Sequence, residues 1–105
     1  MEQPNLSYIN DLAGDDDAFR EKLVSTIKNE LPAEVAAYFE AFNSNDYKAA
    51  ASHVHKLKHK ISILGLEKSY YLAEQYEDHL KNNTKEEAEE FALLLHNMQD
   101  FVATL

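Results

Sequence analysis

Apolar residues recur along this chain at intervals of three and four. Phe19, Leu23, Ile27 and Leu31 fall at i, i+4, i+8 and i+12. Val35, Tyr38, Phe39 and Phe42 follow. Then come Tyr47, Ala50, Ala51, Val54, Leu57, Ile61 and Leu64, next Leu72, Tyr76 and Leu80, and last Ala88, Phe91, Leu95, Met98 and Val102. Such spacing lays side chains along one face of a helix with 3.6 residues per turn. No alternating apolar/polar run suggests a strand, so the pattern predicts an all-α chain.

The breaks are equally legible. A short helix is expected over Ser7–Leu12. The stretch from Ala13 to Asp17 reads as a turn and N-cap, with acids favoured at the positive helix end. Pro32 fits the first turn of a new helix, where its missing N–H costs nothing. That places a helix boundary near residue 32. Asn43-Ser44-Asn45-Asp46 separates the next pair. Gly65 suits the left-handed position just past a helix end, with Leu66 returning to touch Ile61. Asn82-Asn83 makes another break, and Thr84 with Glu87 matches a capping box. The expected architecture is an antiparallel four-helix bundle from about residue 33 onward. One or two short N-terminal helices lie across it, and residues 1–105 form one domain.

Composition changes this picture little but excludes several classes. There is no Cys, hence no disulfide framework, thiol nucleophile or Cys-based zinc site. No secretory signal and no apolar run near the roughly 20 residues of a membrane span are visible, so a cytoplasmic protein without membrane contact is expected. Net charge is −9, unevenly spread. Between Asp46 and Tyr70, five lysines (Lys48, Lys56, Lys58, Lys60, Lys68) face two acids, Asp46 and Glu67. An acidic chain with one basic segment suits an acidic protein partner better than nucleic acid, which needs an extended basic face.

That basic segment carries the candidate chemistry. Val54, Leu57, Ile61 and Leu64 form a core stripe. His55, Lys58, His59 and Ser62 form a second stripe, one residue and so about 100° away. His55 is therefore expected at the border of core and solvent, its stem held by packing and its outer nitrogen accessible. Imidazole offers a neutral nucleophile near neutral pH. A phosphoryl adduct on it is anionic and is stabilised by nearby ammonium groups. Lys58 lies one turn on along the same face; Lys56 and Lys60 add to the field less directly.

These residues resemble the histidine-containing phosphotransfer (HPt) domains of bacterial-type phosphorelays. The family pattern, His-x-Leu-Lys-Gly with a further Gly ten residues after the histidine, is met by His55, Leu57, Lys58 and Gly65. Glu30-Leu31-Pro32, the run from Asn45 to Ala50, Leu72 and the Tyr76-Glu77 pair extend the likeness over nearly the whole chain. The resemblance implies that His55 accepts the phosphoryl group, that Lys58 stabilises it, and that Gly65 closes the helix. One position departs: the family has a small residue after the lysine, and here it is His59. The resemblance also implies receiver domains of response regulators as partners, with a hybrid sensor kinase as a possible source, and a monomeric carrier. No cofactor of its own is implied; Mg²⁺ belongs to the receiver. His59, Ser62 and Ile63 are expected at the docking surface, with Lys68 and Tyr71 beside them and Ile63 exposed.

Other readings are weaker. His55 and His59 at i, i+4 could share a metal, but Lys56, Lys58 and Lys60 repel a cation and no metal is expected. A non-catalytic adaptor has only His59 in its favour. A sensor-kinase dimerisation domain carries an acid after its histidine and a proline five residues on, where this chain has Lys56 and Lys60. Autokinase activity lacks a nucleotide-binding motif. His79 and His96 read as solvent-edge residues of their helices.

Overall fold

The computed structural model describes residues 2–105. Five helices follow in order: α1 (Ser7–Ala13), α2 (Asp17–Asn43), α3 (Tyr47–Ile63), α4 (Glu67–Lys81) and α5 (Ala88–Ala103). No strand occurs among the described residues. α2 lies beside α3 and α5, and α4 lies beside the same two helices, while α1 rests on α2.

The boundary expected at Pro32 is absent. α2 runs unbroken through it for 27 residues, about 40 Å at 1.5 Å per residue, nearly the 45 Å long axis of the molecule. Pro32 faces solvent and costs the helix one hydrogen bond, that to the Lys28 carbonyl. An interior proline is worth about 3 kcal/mol against a helix. Burying Leu31 and Val35 on one continuous stripe returns about 1.5–3 kcal/mol each, and both are fully or almost fully buried. Packing therefore outweighs the local breaker, and only one short N-terminal helix remains.

The N-cap expected within residues 13–17 forms, and the break at residues 43–46 supplies a second cap. Asp16 Oδ1 accepts from the Phe19 N–H at 3.0 Å, and Asp46 Oδ1 from the Ala49 N–H at 3.1 Å. The capping box at Thr84 does not form. α5 begins only at Ala88 with no side-chain cap. The Thr84 hydroxyl instead donates to the His79 carbonyl at 3.2 Å, and the Glu87 carboxylate turns to the His79 ring. Both residues close the α4–α5 loop backwards onto α4.

The core joins Ile27, Leu31, Val35 and Tyr38 of α2 to Val54, Leu57 and Ile61 of α3, with Tyr76, Leu80, Phe91, Leu95 and Met98 opposite. Tyr38 and Tyr76 are buried with their hydroxyls 2.5 Å apart, so one donates to the other. Phe19, expected on the core stripe, is exposed.

The α3–α4 turn has the expected geometry. Gly65 has φ +77°. Its N–H donates to the Ser62 carbonyl at 3.0 Å, and that of Leu66 to the Ile61 carbonyl at 3.1 Å. These are the two bonds of a Schellman ending. The N-terminal residues lie across this turn. Asn5 N–H donates to the Leu64 carbonyl at 2.9 Å. The Glu2 carboxylate accepts from the Lys68 and Ser69 N–H groups at 3.0 Å each, capping α4. A Cβ on Gly65 would stand 2.7 Å from the Asn5 side chain.

Gly65→Ala is therefore expected to destabilise the fold by about 1–2 kcal/mol from the left-handed backbone alone. Urea unfolding checks this, and adding Asn5→Ala should recover the part due to the clash.

Candidate functional site

His55 sits mid-way along α3, its side chain 58% exposed. Its neighbour across the helix pair is Glu77 of α4. Nδ1 lies 3.2 Å from Glu77 Oε2 and 3.3 Å from Oε1. A carboxylate only accepts, so Nδ1 carries the proton and Nε2 presents its lone pair outward.

Glu77 is the residue that sequence spacing did not single out. Its side chain is 8% exposed and contacts three nitrogens. Besides His55, the Lys58 ammonium lies 2.9 Å from Oε1 and that of Lys81 3.1 Å from Oε2. Burial pushes the Glu77 carboxyl up. The hydrogen bonds from Lys58, Lys81 and His55 outweigh it and hold the group below the usual carboxylate range. The signal for it was available: Glu77 and Lys81 stand at i, i+4 on one helix, Glu77 directly after the core Tyr76.

Lys58 differs from its expected placement. Its ammonium is turned inward, 10% exposed, over the Tyr70 ring at 5.6 Å. The hydrogen bond to Glu77 raises its proton affinity, although burial opposes this. It thus reaches His55 through Glu77. Lys60 is buried too. Its ammonium lies 2.8 Å from Glu30 Oε1 and 2.9 Å from Glu34 Oε1 on α2, the second a charge contact without hydrogen-bond alignment. The apolar parts of both lysines cover core while their charged ends are paired.

His59 is exposed and stands edge-on to His55, ring centroids 6.0 Å apart at 81°. Ser62 is exposed, two turns further along α3. Ile63, expected to be exposed, is half-buried against the core. His55 lines a shallow groove with Lys48, Ala49, Ser52, Glu77 and Lys81. Ser62 lines another with Asn5, Tyr8, Asp11, Tyr70 and Tyr71. Of the expected site residues, His55 thus lines one depression and Ser62 and Gly65 the other, while Lys58, His59 and Ile63 line neither.

The family of HPt domains has a model that matches residues 22–104. The chain belongs to this family. No curated protein and no solved structure matches it. Membership in the HPt family assigns a histidine phosphotransfer role in a phosphorelay, with receiver domains as the class of partner. No helix among the described residues is long and apolar enough to cross a membrane.

His79, expected at a solvent edge, closes the α4–α5 loop. Its Nδ1 lies 2.7 Å from Glu87 Oε2 and 3.8 Å from Glu86 Oε2. These three residues bring potential ligand atoms within 4.8 Å of one another. The ion pair of His79 with Glu87 accounts for the arrangement, and the hydrogen bond to Glu87 raises the His79 pKa.

Removing Glu77 leaves Lys58 buried and unpaired. Glu77→Ala is expected to cost about 3 kcal/mol in urea unfolding. Because the folded-state pKa of Glu77 is lowered, its contribution is complete above its unfolded value near 4.5. It is lost as pH falls through the lower folded value. Glu77→Gln should flatten that acid limb of the stability profile.

Proposed function

We propose that His55 is the phosphoacceptor of a phosphorelay carrier. Nε2 attacks the phosphorus of a receiver's aspartyl phosphate. The P–O bond to the aspartate breaks as the P–Nε2 bond forms, and the leaving electron pair stays on the aspartate carboxylate. The ring then holds a positive charge with Nδ1–H still in place, and the Glu77 carboxylate stabilises it. A second receiver takes the phosphoryl group by the reverse step. The single observation that carries this reading is the Nδ1–Glu77 contact beneath an exposed imidazole. It fixes the tautomer a nucleophilic Nε2 needs and costs no reorganisation when charge develops.

Lys58 serves this site by holding Glu77 ionised and in place, and its charge acts on the adduct through that carboxylate. The receiver brings its own Mg²⁺, and this chain works as a monomeric, antiparallel bundle in the cytoplasm without autokinase activity. Docking spans the His55 face and the second depression. Tyr8 and Leu12 of α1 and Tyr71 of α4 are large apolar groups left exposed, Tyr71 by 69%. Exposed aromatic and aliphatic groups of this kind are typical contact anchors. His59 and Ser62 lie within this face, and Ile63 supports it from beneath.

Incubation with a phosphorylated receiver should place acid-labile, alkali-stable phosphate on the chain. His55→Gln should take up none; label on that variant would sink the assignment. The edge-on ring of His59 narrows the approach to Nε2, so His59→Gly is expected to raise the transfer rate, read by the same assay.

A further inference from the structure

The groove beside His55 contains cations, and Lys58 is not among them. It runs between the N-terminal half of α3 and the C-terminal half of α4, with Lys48 and Lys81 on its walls, Asp46 at one end, and the Ser52 hydroxyl one turn before His55. Lys58 is 10% exposed and paired with Glu77 Oε1. Lys81 is 57% exposed. Its ammonium and Nδ1 of His55 both contact Glu77 Oε2, at 3.1 and 3.2 Å. Lys58 shares Glu77 Oε1 with the same ring nitrogen, at 2.9 and 3.3 Å; what distinguishes Lys81 is a long stem that faces water and a place on the groove wall.

We propose that Lys81 is the catalytic cation of this site: its ammonium contacts the phosphoryl group on His55 Nε2 directly, in the groove that Lys48 and Ser52 also line. This rests on His55 as the phosphoacceptor. As the phosphoryl group arrives, the Lys81 ammonium moves from Glu77 Oε2 to a phosphoryl oxygen. Glu77 stays in place because Lys58 and His55 still hold it. No proton is transferred in the exchange. Two lysines thus divide the work: the inner one fixes the carboxylate, and the outer one meets the anion. The outer ammonium, 57% exposed, can respond to an arriving charge; the inner one, 10% exposed and over Tyr70, lies outside the groove.

The test uses the full chain phosphorylated chemically with phosphoramidate, and ³¹P NMR of the resonance that disappears in His55→Gln. An adjacent ammonium favours the more charged form of the phosphoryl group, so its titration midpoint is held down. Lys81→Gln should raise that midpoint, and Lys81→Arg should restore it. Label uptake from a phosphorylated receiver should fall roughly tenfold in Lys81→Gln, the worth of one charge-assisted hydrogen bond at an exposed site. In the unphosphorylated Lys81→Gln protein, ¹⁵N shifts of His55 should still report a proton on Nδ1, which separates a phosphoryl contact from a loss of ring positioning. An unchanged ³¹P midpoint in Lys81→Gln overturns the proposal, as does a loss of the Nδ1–H tautomer as the variant's only effect. Failure of a receiver to label His55 would instead count against the phosphorelay reading, and the chemically phosphorylated protein still decides the role of Lys81.

Discussion

One buried carboxylate organises the functional half of this molecule. Glu77 comes from α4 and its partners His55 and Lys58 from α3, so the ion pair that joins two helices is also the one that orients the ring. Placing a carboxylate under the surface is costly unless it is paired and hydrogen-bonded. Here three nitrogens surround it. The same contacts that make its burial tolerable determine which imidazole nitrogen faces out. Stability and chemistry therefore share a single contact set.

The remainder of the fold keeps α3 and α4 in the register this contact needs. Gly65 turns the chain sharply enough to bring Glu77 back beside His55, and the crossing of Asn5 fixes that turn from outside. At the other face of α3, Lys60 ties the helix to Glu30 and Glu34 of α2. α3 is thereby fastened by charge on two sides and by its apolar stripe on the third. That leaves His55 and His59 on the one side open to a partner.

Much of this could be read from the residues. Helical spacing located the core stripes of α3 and α5, the acidic turn before α2 marked a helix start, and Gly65 marked an end. His55 stood out because an imidazole beside an apolar stripe must lie at its edge. What could not be read were the choices that depend on tertiary contacts. Pro32 has a local preference for a helix start, and only the burial of residues before and after it shows why α2 continues. Thr84 and Glu87 have the spacing of a capping box, yet His79 competes for the Glu87 carboxylate. Lys58 and Lys60 stand about 200° apart on a helical wheel. Their long stems allow each to reach an acid on a different neighbouring helix, and no wheel contains those acids.

The inward pairing of Lys58 and Lys60 alters what the basic segment means to another molecule. Its charges near the site are split between those cancelled within the fold and those, such as Lys48 and Lys56, that project into solvent. The long-range field felt by an approaching acidic partner arises from the second group alone. Added salt should screen that weaker field and slow encounter only modestly. Recognition on this face then depends chiefly on short-range fit after contact.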